Sequence, residues 1–298
     1  MIKRVVEVSH AGTRLSVSLG QLVVKREGAE VGRLPCEDVG VLLVDHAGVV
    51  YTHTVFTELL KHGAAVVLCD GTHHPTGMLL AIDSNGVQTE RFGRQIAAKG
   101  PLKKQLWKQV VQAKIRHQAA LVREDEGAYR WLKSLERRVR SGDPENIEAQ
   151  ASKRFWRAYL PDGSFHRDRG GAAPNNLLNY GYTVLRAAVA RALCGAGLLP
   201  SLGLHHCNRY NAFCLADDMV EPFRGFAEKK VRDIFVASGR DQVLQVDQGI
   251  KAQLLEVLYE PVVIGGYEGP LMVGLHRTAA SLVRCFAGET KQLELPVL

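Results

Sequence analysis

The hydrophobic period of this chain changes once, near residue 100, and that change restricts it to a β unit followed by a helical one. Over the first 80 or so residues, VVEVS, RLSVSL and QLVVKR alternate at period two, while DVGVLLVDH and AAVVLCD are apolar almost throughout. AGT, GAEVG and DHAG punctuate these runs, a pattern that predicts short β-strands in a compact sheet domain. THTVFTELLKHG breaks the rhythm: Val55, Leu59 and Leu60 fall at helical spacing and Gly63 supplies a stop, so one short helix is expected. After Pro101 the period becomes three and four, with Leu102, Leu106, Val110 and Ala113 on one helical face. In SGDPENIEAQASKRFWRAYL, Asp143 reads as an N-cap, Pro144 as the first helical position and Glu145 as a first-turn acid. NNLLNYGYTVLRAAVARALCGAG is a further helix ending at Gly195 or Gly197. The expected fold is α+β with two domains: a small, mainly-β, sandwich-like domain with one short helix over 1–82, and a larger, mainly α-helical domain over 101–285. Residues 83–100, polar and glycine-bearing, read as a linker, and 286–298 as an extended or mobile tail.

With 46% hydrophobic and 23% charged residues, the 298-residue chain has the composition of a packed globular protein. No stretch approaches the roughly 18 to 20 apolar residues that cross a bilayer, and the start MIKRVVEVSHAG lacks the apolar run of a signal peptide. A cytoplasmic protein with no membrane partner is expected. The six cysteines have no framework spacing and read as free thiols, four of them in apolar settings. Charge is uneven. Residues 1–82 carry 7 Lys/Arg against 8 Asp/Glu, whereas 101–170 carry 16 against 9, an excess equal to the net +7 of the whole chain. Such a concentration suits a polyanionic partner, or else a solvated helical surface.

LGLHHCNRYNAFCLADDMVEPFR, residues 202–224, gathers most of the groups that could hold an ion. A helix through Leu215, Met219 and Val220 should end near Pro222. Asp218 and Glu221 are three apart and can share a face, with Asp217, four before Glu221, as a competitor. Acids with a nearby imidazole suit Mg²⁺ or Mn²⁺. Zinc is the rival, since His205, His206, Cys207 and Cys214 lie close together, but the paired Cys or His spacing of structural zinc is missing. Elsewhere, Glu148 shares a helical face with Ala151 and Phe155. It is either paired or metal-bound in the core, or on the flank of that face and solvated. No GxxxxGK[ST] loop or GxSxG elbow occurs.

Several motifs, in this order and spacing, resemble one family over nearly the whole chain. They are CEDVGVLLVD, CDGTHHPTGMLL, LWKQVVQAKIRHQA, GDPENIEAQASKRFW, NNLLNYGYTVLRAAVARAL and the 202–224 stretch. The family is the CRISPR-associated integrase of spacer acquisition, the universal adaptation nuclease of the Cas proteins, and the likeness is to its type II form. The resemblance implies that Glu148, His206 and Glu221 are catalytic and bind a divalent cation, because the family's histidine lies twelve residues before the Asp of an Asp-x-x-Glu pair. Asp218 is then an accessory carboxylate, and His205 lies one residue too early. Gly225 departs from the family, where proline often follows EPFR.

The resemblance further implies an endonuclease/integrase that inserts captured foreign DNA into a CRISPR array through attack of a 3′-hydroxyl on repeat phosphodiesters. Implied partners are double-stranded DNA, a second copy bound through the β domain, and a small ferredoxin-like adaptation protein. A type II effector nuclease and a further adaptation protein complete the implied set. Arg154, Arg157, Arg167 and Arg169 are the expected DNA-backbone contacts. A metal-dependent nuclease of branched DNA and a non-catalytic DNA-binding scaffold are the alternatives.

Overall fold

A computed structural model describes residues 3–71, 75–160, 162–163, 165–241 and 243–298. Residues 72–74 of the CDGTHHPTGMLL motif thus lie outside the described residues. The chain forms β1 (Arg4–Val8), β2 (Thr13–Ser18), β3 (Gln21–Arg26), β4 (Ala29–Pro35), β5 (Val39–Val44), β6 (Val50–Tyr51), α1 (His53–Lys61), β7 (Ala65–Cys69) and β8 (Pro75–Leu79). The helical part follows as α2 (Gln88–Ala97), α3 (Gly100–Leu121), α4 (Glu126–Arg138), α5 (Ile147–Ala158), α6 (Asn175–Gly195), α7 (Cys214–Val220), α8 (Arg224–Ala237) and α9 (Gln248–Leu255). A hairpin of β9 (Pro261–Ile264) and β10 (Tyr267–Pro270), then α10 (Leu271–Phe286), complete it. A mainly-strand region thus precedes a mostly helical one, as the change of period predicts.

Two four-stranded sheets make up the N-terminal unit, in the orders β1-β5-β7-β8 and β4-β3-β2-β6. β5 pairs in parallel with both β1 and β7. Parallel neighbours need a crossover, and α1 supplies the one between β5 and β7. All six residues of β5, VGVLLV, are buried, because both faces of its sheet are covered. Leu42 and Val44 join Leu15, Leu22, Val55 and Leu59 in one core; Val41 and Leu43 join Val67 and the helical residues in the other. Lys251 of α9 adds a buried ion pair to Asp45, beyond the end of β5.

The stretch 83–100 is not simply a linker, since it contains α2. That helix and the turn before it are held to the end of α6 and the following loop by polar bonds: Ser84 Oγ to Cys194 O at 2.6 Å, Arg91 Nη1 to Ala196 O at 2.8 Å and Gln95 Nε2 to Leu199 O at 3.0 Å. Apolar periodicity could not report it. The tail after α10 is strapped across the helical unit. Leu293 N donates to Gln109 Oε1 (2.9 Å), Thr278 Oγ1 to Glu294 O (2.7 Å) and Val297 N to Val263 O (3.0 Å). The Pro296 carbonyl lies 3.0 Å from Nε2 of buried His117. No helix among the described residues is long and apolar enough to cross a membrane.

Candidate active site

Glu148 stands in the first turn of α5, and a turn ahead of the helix sets its position. Asp143 and Asn146 both take left-handed backbone, φ 48° and 50°, so the helix begins at Ile147 rather than at Pro144. Asp143 still caps it, but by reaching forward: its carboxylate accepts Ile147 N at 2.8 Å and Glu148 N at 2.9 Å. Glu145, expected in the first turn, pairs instead with Arg140 at 2.5 Å.

Glu221 opens a 3₁₀ turn, Glu221–Phe223, between α7 and α8. α7 ends at Val220, close to the expected stop, yet the chain carries Pro222 within the turn and resumes helix at Arg224. Pro222 therefore bends the helical path without ending it. Gly225 serves the next packing step: a Cβ there would lie 2.8 Å from His117 Cβ on α3. The departure at Gly225 permits this close approach of α8 to α3.

Asp218 is fully buried and organises the loop before α7. It accepts the backbone N–H groups of Leu204 (2.6 Å), His205 (3.0 Å) and His206 (3.3 Å), and meets His206 Nδ1 at 2.5 Å. The loop wraps so tightly that a Cβ on Gly203 would meet Asp218 Oδ2 at 2.9 Å and press into the His206 carbonyl. Hydrogen bonding to Asp218 raises the His206 pKa above the usual imidazole value, against the opposing effect of desolvation. With Nδ1 engaged, Nε2 is the nitrogen left for a ligand. The competing residues have other contacts. His205 stacks flat on Trp107, ring centroids 4.4 Å apart, and Asp217 binds Arg186 of α6 at 2.8 Å and Asn211 at 2.6 Å.

Glu148, His206 and Glu221 come together around one open pocket of about 320 Å³, with Trp107, Asp143 and His205 among its walls. Among them stands a residue that the apolar pattern of α3 left unremarked. Lys114 is 4% exposed; its Nζ contacts Glu148 Oε1 and lies 2.6 Å from Glu221 Oε2. Desolvation pushes its pKa down, but Glu221 and Glu148 outweigh it and leave the pKa raised. Burial likewise pushes Glu221 up, while Arg224, 3.3 Å away, and Lys114 bring it below the usual carboxylate value.

Two carboxylates and an imidazole are a donor set that fits a hard divalent ion such as Mg²⁺ or Mn²⁺. Glu221 Oε2 is buried and, apart from its ion pair with Lys114, has no hydrogen-bond partner. Among the described residues no three His, Cys, Asp or Glu groups stand at coordinating spacing; the two glutamates close on Lys114. The cysteines do not contribute, since Cys207 is exposed and Cys214 Sγ faces the carbonyls of Asn208 and Asn211.

The four arginines do not share this pocket's rim. Arg154 and Arg157 lie six and nine residues beyond Glu148, on other faces of α5; Arg154 is 3.5 Å from Asp125 and Arg157 is exposed. Arg167 is committed within the protein, donating to Asp168 O (2.9 Å), Asn175 Oδ1 (3.0 Å) and Asn179 Oδ1 (2.6 Å). Arg169 is exposed.

The chain thus pairs a two-sheet N-terminal unit with a helical unit whose open pocket gathers two acids and an imidazole. Residues 6–238 match the family model described as CRISPR associated protein Cas1, and the chain belongs to the Cas1 family. It is 35% identical to the CRISPR-associated endonuclease Cas1 of Neisseria meningitidis serogroup C over 291 residues, 96% of this chain and 93% of that one. Its fold is similar to that of a casposase bound to integration product, with a TM-score of 0.80 and 17% identity over 98% of this chain and 92% of that chain. A Cas6-RT-Cas1–Cas2 complex superposes with a TM-score of 0.79 and 16% identity, covering 98% of this chain and 36% of that chain.

Proposed function

We propose that this chain is the metal-dependent DNA integrase of a type II CRISPR system, inserting captured fragments into the repeat array. The observation that carries the reading is the meeting of Glu148, His206 and Glu221, from separate segments, around one pocket. The family and the casposase-like fold support the DNA chemistry, and the type II assignment rests on the sequence motifs. The 3′-hydroxyl of a DNA fragment gives up its proton and attacks a repeat phosphodiester; one P–O bond forms as another breaks, and the ester oxygen of the broken bond leaves with the displaced strand and takes up a proton to become its free 3′-hydroxyl. Mg²⁺ or Mn²⁺, held by Glu148, His206 and Glu221, would supply charge neutralisation at the phosphate. Asp218 fixes the His206 ring and its tautomer. Arg224 holds positive charge beside the acids, and Trp107 with His205 forms a rigid aromatic wall. No covalent enzyme intermediate is needed, so positioning of the two DNAs dominates. Arg157 and Arg169 are the exposed candidates for backbone contacts; Arg154 pairs with Asp125 and Arg167 serves the loop that carries it.

The proposed assembly is a homodimer built through the β domains, bound to a small ferredoxin-like adaptation partner and working in the cytoplasm. The dimer rests on the family resemblance, and the Cas1–Cas2 context of a similar structure supports the partner. An effector nuclease and a further adaptation protein would select what is captured. The test is an integration assay with a labelled fragment and a repeat-bearing plasmid. Wild type should give joined product, while Glu148→Ala, His206→Ala and Glu221→Ala bind DNA without joining it. Nicking without joining would favour the nuclease reading, and full joining by His206→Ala would reject the site.

A further inference from the structure

Lys114 is a lysine in the middle of a buried helix stripe, four residues after Val110 and three before His117. Its two contacts on the acid side come from different elements, Glu148 of α5 and Glu221 of the turn after α7. Two carboxylates brought this close repel unless a cation lies between them. The ammonium is that cation, and it arrives on a third element, α3, whose position is set by packing over 22 residues. Three carboxylates, Glu148, Glu221 and Asp218, face the cations Lys114 and Arg224 and the imidazole of His206. With these groups the cluster is already near charge balance.

We propose that Lys114 is a built-in occupant of the cation position between Glu148 and Glu221, which a divalent ion must displace in order to bind. This rests on the site reading above. The ammonium keeps the two acids together and the helices packed while no ion is bound, and it raises the ion concentration at which the site fills. Lysine suits such a role because its charge sits on a flexible four-carbon stem that can withdraw, whereas a planar arginine would hold both acids more rigidly.

The experiment is Mn²⁺ binding by calorimetry to the full chain, for wild type, Lys114→Met, Lys114→Gln, Glu148→Gln and Glu221→Gln. A neighbouring cation lowers the proton affinity of a carboxylate by roughly 10- to 1,000-fold. Lys114→Met and Lys114→Gln should therefore bind Mn²⁺ at least about tenfold more tightly. In EDTA both should melt below wild type, and Mn²⁺ should raise their melting temperatures more than it raises the wild-type value. Unchanged or weaker Mn²⁺ binding by a folded Lys114 variant overturns the proposal. Should neither variant fold, the ammonium resonance of Lys114 in lysine-labelled wild type decides: Mg²⁺ must shift it, and an unmoved signal overturns the displacement. Glu148→Gln and Glu221→Gln test the site separately. If both bind Mn²⁺ like wild type, the metal-site reading fails; if they lose binding while the Lys114 variants do not gain, only the present proposal fails.

Discussion

Replacing Asp218 by asparagine should invert the tautomer of His206 while leaving the fold standing. The Oδ2 end of the carboxylate accepts two backbone N–H groups, Leu204 at 2.6 Å and His205 at 3.0 Å; the Oδ1 end accepts one longer bond, from His206 N at 3.3 Å, beside the imidazole. An amide placed here turns its oxygen to the two short donors and its NH₂ to His206. Facing a donor, His206 Nδ1 must give up its proton, so the neutral ring carries its proton on Nε2 and loses the lone pair that could ligate an ion. Loss of charge-assisted bonds to a buried acceptor costs about 1.5–3 kcal/mol, visible in urea denaturation. Outer partners of ligating histidines are worth roughly 10- to 100-fold in metal affinity or activity, so Mn²⁺ binding and strand joining should fall by that factor. Nitrogen-15 NMR of the His206 ring reads the tautomer directly. Asp217→Asn is the control, because Asp217 binds Arg186 and does not touch the imidazole. A folded Asp218→Asn protein with the proton still on Nδ1, or with unchanged Mn²⁺ binding, would refute the reasoning.

Three further outcomes are expected. Gly225→Ala should destabilise: alanine gains up to about 1 kcal/mol of helix propensity, but its Cβ would lie 2.8 Å from His117 Cβ, which cannot swing away, and overpacking costs about 1–3 kcal/mol. His117→Ala should not rescue it, since the clashing atom remains; equal or higher stability of Gly225→Ala in thermal melts would contradict this. Burial pushes the pKa values of His117 and His276 down to about 4 from 6.5. Both stay neutral in the fold, so the stability they contribute is complete above 6.5 and is lost as pH falls from there towards 4. For His117 alone this is on the order of 3 kcal/mol, and urea midpoints that stay constant from neutral pH down to about 5 would count against it. Deleting residues 293–298 removes buried Leu293 and the carbonyl facing His117. It should cost at least the roughly 1.5–3 kcal/mol of one buried leucine, and a pull-down with the small partner shows whether the strap also serves assembly.

What was legible in the sequence divides by the range of the forces involved. β5 and the apolar face of α3 announce themselves, because burial repeats with the local period. The parallel pairing of β5 with β1 and β7 does not, since it depends on which segments cross over. The β9–β10 hairpin carried a signal, Gly265-Gly266 at positive φ between apolar and aromatic residues, that the helical rhythm on either side masked. α2 is held by side chains bonding to a distant loop, a pattern with no periodicity. At the site, Glu148 stands out because it shares an apolar face, Asp218 and Glu221 because they are three apart, and the twelve-residue interval from His206 to Asp218 comes with the family resemblance; that the loop folds back on the Asp218 carboxylate is seen only in three dimensions. Lys114 breaks the α3 face in the same way, between Val110 and His117. A buried acid needs hydrogen-bond donors, a buried cation or a bound ion, so acids found on core faces should prompt a search of the other helices for lysine or arginine on theirs. Applied to LWKQVVQAKIRHQA, that rule selects Lys114, whose spacing from Leu106 and Val110 keeps it on the core side, while Lys108 and Arg116 fall elsewhere on the helix.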